Sequence, residues 1–153
     1  MHAGLAPTDR VLLHVVEMCC LNETLTGVYL TEMLHRATHV TARAAVESLL
    51  EDEIDHGRVG WAYLASRLRA ETAKPLAAAL PTLLDRAIGP VIAEAARAPE
   101  SDEPALEAHA WLGRNAAATL YREALENVIF AGFETLGVDV GPLRAHARAR
   151  GWS

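Results

Sequence analysis

The chain has 153 residues, of which 51% are hydrophobic, 22% charged and 5% aromatic, with a formal net charge of −6. That is enough apolar chain for one sizeable core, and the acidic balance argues against a nucleic-acid or anionic-membrane surface. Twenty-nine alanines and few aromatics favour helix and argue against a β-sandwich or barrel, because Ala loses least on entering a helix while strands prefer β-branched and aromatic residues.

In chain order, Met1 to Arg10 lacks a charged stretch followed by an apolar one, so no signal peptide is expected. Pro7-Thr8-Asp9 opens a first helix predicted over 9–36, with Thr8 or Asp9 as its cap. It carries the only two cysteines, Cys19 and Cys20. Adjacent cysteines bridge each other only under strain, so free thiols and a reducing compartment are expected. Ala37-Thr38-His39 reads as a tight turn. A second helix is predicted over 41–71, stopping before Lys74-Pro75. A third, over 76–98, should be interrupted at Pro81 and at Gly89-Pro90. Residues 98–104 read as a polar loop. A short helix over 105–112, a longer one over 115–136 ending at Gly137, and a last one from Pro142 to Arg150 complete the chain. No uncharged apolar run of about 18 residues occurs, so no membrane span is expected. The expectation is one all-α domain, 1–153, made of a helical hairpin (10–72) and C-terminal helices (76–153), soluble and cytoplasmic.

Position on the helices sorts the many carboxylates and histidines. At about 100° per residue, Val16, Leu30 and Leu34 fall within about 20° of Glu23 and Gly27 lies about 40° away, so Glu23 is centred on an apolar stripe. His14, Glu17, Glu32 and His35 lie about 120–180° away and read as solvated. On the second helix Val46, Gly60 and Leu64 fall within about 20° of Glu53, and Leu49 and Gly57 within about 40°. Glu47, Glu51 and Asp55 make the wet face, and Asp52 also lies off the stripe. His56 is one turn on from Glu53. Helices joined by a tight turn pack antiparallel, and Glu23 and Glu53 lie about fifteen residues to either side of the turn, hence at one level. An ionised carboxylate does not stay buried alone; it is protonated, paired or metal-bound. Two carboxylates and an imidazole at one point suit iron, manganese or zinc better than calcium or magnesium.

Glu23 followed by Glu53-Ile54-Asp55-His56 resembles the ferritin-like di-iron carboxylate family, in which a Glu from one helix and a Glu-x-x-His from the next bind metal within a four-helix bundle. The resemblance covers roughly residues 10–70, and the half-site is similar to that of encapsulated ferritins. It implies iron (a manganese–iron pair or zinc being variants), activation of O2 or peroxide, and oxidation of a small organic molecule or of Fe(II). The family's dinuclear site takes two such sets and this chain has one. Either a homodimer or higher even oligomer completes a four-helix bundle about a two-fold axis, or the site is mononuclear, or a later residue such as Glu94 or Glu126 completes it. Tyr63, on the His56 side of the helix, is a candidate gating or redox residue, and a core tyrosine otherwise. Residues 76–153 would supply substrate walls. Another class of function is a helical interaction module whose metal is structural or lost.

Overall fold

The computed structural model describes residues 6–97 and 104–152, and no strand occurs among them. Helix α1 spans Pro7–Arg36. It starts with proline in its first turn and Asp9 close behind, where the missing N–H costs nothing and the acid faces the positive end of the helix dipole. The cap residue is Ala6 with no side-chain bond, so Thr8 and Asp9 lie inside the helix rather than capping it. Within α1, Val16–Asn22 is a π-helical segment. The chain turns at residues 37–39, and α2 runs Val40–Arg67. The Arg43 guanidinium donates to the carbonyls of Leu34 (2.6 Å) and Ala37 (3.2 Å), satisfying acceptors that a helix end leaves open. Thr38 and His39 N–H donate to the Ala108 carbonyl, and Leu30, Ala37, Val46 and Ala110 make a small buried cluster that closes this end of the hairpin.

The second helix ends four residues earlier than predicted. Arg69 is extended, and its N–H donates to the Thr72 hydroxyl at 2.9 Å. This is the returning half of a capping box, and it starts α3 (Ala70–Ala95) ahead of Pro75. Contrary to the predicted breaks, α3 runs on through Pro75, Pro81 and Pro90. Each proline costs roughly 3 kcal/mol in a helix interior. Against that, Leu76, Leu80, Leu83, Leu84 and Ile88 are buried along one side, each contributing about 1.5–3 kcal/mol, and packing wins.

Residues 98–103 of the expected polar loop lie outside the described residues. The short helix expected over 105–112 is one turn, Pro104–Glu107. Helix α4 covers residues 114–135 and contains a second π segment, Leu125–Phe130. It ends at Gly137, whose φ of +79° is the left-handed conformation that glycine adopts without penalty. Helix α5 is Gly141–Ala149.

Helix α1 is central. It packs against α2, α3 and α4, and its Leu12, Leu13, Val16, Cys20, Leu21 and Leu25 join the main core with residues of every other helix. Helix α2 lies mainly against α1, so Val40, Leu49, Ile54 and Val59 remain exposed on it. Leu49 was expected on the inner stripe and is 53% exposed. By length and composition α1 and α3 are each apolar enough to cross a membrane, and both also contribute residues to the buried core.

Candidate metal centre

Helices α1 and α2 bring Glu23, Glu53 and His56 together, with one ligand atom from each lying within 4.8 Å of the others. The pairing follows from the hairpin register, because Gly57 and Trp61 of α2 both meet Thr24 of α1. The three side chains are not enclosed. Glu23 and Glu53 line an open groove of about 490 Å³ whose lining includes Gly27, Val28, Leu50, Ile54 and Arg58, and His56 stands outside that lining. All of its lining comes from α1 and α2, so residues 76–153 supply no wall. The His56 side chain is 62% exposed and that of Glu53 22%.

The electrostatics are those of two carboxyl groups in contact beside an imidazole. The Glu23 carboxyl is pushed up to about 7, first by its hydrogen bond with Glu53, then by burial and by the Glu53 charge, with His56 pulling the other way. Glu53 Oε2 is buried and accepts no hydrogen bond. His56 Nδ1 stands 3.8 Å from it, too far for one. A buried acceptor without a donor is costly, and a metal ion is one partner that would satisfy it. The oxygen, oxygen and nitrogen donors fit a transition metal in kind, and Gly27 leaves room beside them, since a Cβ there would meet nothing within 4 Å.

The other sequence candidates lie elsewhere. Glu94 pairs with Arg97 (3.3 Å) and Arg114 (3.0 Å). Glu126 pairs with Arg144 at 3.0 Å. Neither joins the cluster, and each is held by an arginine that its own helix pattern does not reveal. Tyr63 is half-buried with the Arg67 guanidinium 5.6 Å over its ring and lines a separate hollow with Thr8 and Leu12. Glu32 bonds Arg36 at 2.7 Å, and His35 is exposed. Asp52 and Asp55 are exposed, as expected off the stripe. Glu17 departs from expectation. It is the one buried charged residue among those described, and it pairs with Arg86 of α3. The thiols are free, and burial followed by the neighbouring Cys19 pushes Cys20 up to about 12.

In comparisons with known proteins, no protein-family model, curated protein or solved structure matches this chain.

Proposed function

We propose that the chain is one half of a ferritin-like transition-metal centre, in which Glu23, Glu53 and His56 hold iron and a second copy completes the site. The observation that carries this reading is the buried, unpartnered Oε2 of Glu53 at the point where Glu23 and His56 converge. Iron bound there would supply activation of O2 or peroxide, with Fe(II) or a small organic molecule as the species oxidised. The chain's own part is to hold two carboxylates and an imidazole in place and to leave the groove side open. Two carboxylates and one imidazole are too few for a pair of bridged metals, each of which takes about five or six ligands. A two-fold axis over the groove doubles the set, and two-fold dimers are the commonest oligomers. The exposed Ile54, which lines the groove, and Leu49 on α2 supply apolar area for that contact. The walls of any substrate pocket then come from the second copy. Two free, adjacent thiols suit a reducing compartment such as the cytoplasm.

A competing reading is a helical interaction module whose metal is structural or lost, favoured by the same exposed apolar residues. Anaerobic loading with Fe(II), elemental analysis and then O2 separates the two. Retained iron and a new optical band on adding O2 support the metal reading. A protein that keeps no transition metal leaves the interaction module.

A further inference from the structure

The π segment Val16–Asn22 ends at the residue before Glu23. Leu12 and Val16 upstream of it and Leu25 downstream all belong to the main core. In a uniform α-helix Leu12 and Val16 would point within about 20° of Glu23, and Leu25 about 160° away from it. Hydrogen bonds from i to i+5 put more residues in each turn, so seven π residues lag an α-helix by roughly 100°. The lag swings Val16 round toward Leu25 and turns Glu23 away from Leu12 and Val16, so that Glu23 looks into the groove instead of the core. Two contacts hold this wide turn. Cys19 fits against Gly60 of α2, where an added Cβ would come 2.3 Å from the Cys19 Cβ and 2.9 Å from its carbonyl carbon. On α3, Arg86 pairs with the buried Glu17.

We propose that the π segment is a register device for the metal centre: the Cys19–Gly60 contact and the Glu17–Arg86 ion pair hold the wide turn, and the wide turn aims Glu23 at Glu53 and His56. The proposal rests on the reading that these three bind metal. Glu17, Cys19, Gly60 and Arg86 are positioning residues and touch no ligand. Gly60 lies two turns along α2 from Glu53, so seating Cys19 against it also fixes the level at which Glu23 meets its partners.

Co(II) titration of the full chain tests this, read by its visible absorption, with metal-free melting followed in parallel. Glu17→Leu and Gly60→Ala should each lose about tenfold or more in Co(II) affinity and alter the absorption band, while Glu17→Gln, which keeps the shape and an acceptor for Arg86, should restore most of the affinity. Leu143→Ala, in the core but on α5, should lower the melting temperature and leave Co(II) binding unchanged. Wild-type affinity in Glu17→Leu would overturn the proposal, and so would a Leu143→Ala loss as large as that of Glu17→Leu. If Gly60→Ala does not fold, the Glu17 pair decides. A wild-type chain that takes up no Co(II) contradicts the metal reading rather than the register. The register is then read without metal, from oxidative cross-linking of a Glu23→Cys, Glu53→Cys double variant in a Cys19→Ala, Cys20→Ala background. Adding Glu17→Leu should sharply lower the cross-linked yield, and an unchanged yield overturns the proposal.

Discussion

The indole N–H of Trp61 donates to the Thr24 hydroxyl at 3.0 Å, one residue beyond Glu23. The same ring meets Phe133 edge-on, with centroids 5.1 Å apart, and covers Gly132 so closely that a Cβ there would fall 2.8 Å from it. Trp61 thus ties the Glu53–His56 stretch of α2 to α1 and to α4. Thr24→Val keeps the shape and removes the acceptor, which should cost about 1 kcal/mol and lower the melting temperature by about 2–4 °C for a chain of this size. Gly132→Ala forces the ring to move and should cost about 1–3 kcal/mol. Thermal melts check both, and a Thr24→Val variant as stable as wild type would show that the bond is not needed.

Metal binding should depend on Glu23, Glu53 and His56 and not on the superficially similar Glu32 and His35 pair. Alanine at any of the first three should abolish tight binding. Glu32→Ala should leave it intact, because Glu32 is engaged by Arg36, and His35→Ala likewise. Titration of the five variants with Fe(II) or Co(II) decides, and full stoichiometry in Glu53→Ala would sink the assignment.

Metal should raise stability by mass action, since only the folded chain brings the three ligands together. At a free metal concentration a hundred times Kd the gain is about 2.7 kcal/mol. Without metal, Glu23 and Glu53 face each other. Melting with Fe(II) under anaerobic conditions should therefore occur well above melting with chelator. Coincident curves would count against a metal bound at these carboxylates.

Much of this was legible in the sequence. The level of Glu23 and Glu53 about the turn is a local property, and Glu23, Glu53 and His56 do come together. What escaped depends on non-local or irregular structure. A wheel with a constant 100° step passes straight over the π segment, so it puts Glu17 in solvent, whereas Glu17 is buried. The continuity of α3 through three prolines is decided by what its leucines pack on. The arginines that claim Glu94 and Glu126 lie on other helices or beyond a turn. The openness of the groove depends on which side of α1 the later helices cover.

The C-terminal helix is fastened by Asp85, which bonds His146 at 2.8 Å and Arg150 at 2.6 Å. Burial alone would raise this carboxyl. The bonds to His146 and Arg150 outweigh burial and hold it below the usual carboxylate range. A lowered native pKa means stability that is present above the ordinary aspartate value and lost as pH falls through the native one. Asp85→Asn should cost about 1 kcal/mol at neutral pH and flatten the acid limb of the stability curve. Urea unfolding from neutral to acid pH measures this. Equal acid sensitivity in variant and wild type would assign the acid limb to other groups.

Light scattering on the Fe(II)-loaded protein, with metal analysis of the same peak, tests whether two copies share one metal centre. A shared centre gives about 33 kDa, twice the 16.5 kDa of one chain, or a higher even multiple, with one metal per chain that is lost in Glu53→Ala. A strict monomer of 16.5 kDa, or a metal content unchanged by Glu53→Ala, would contradict it.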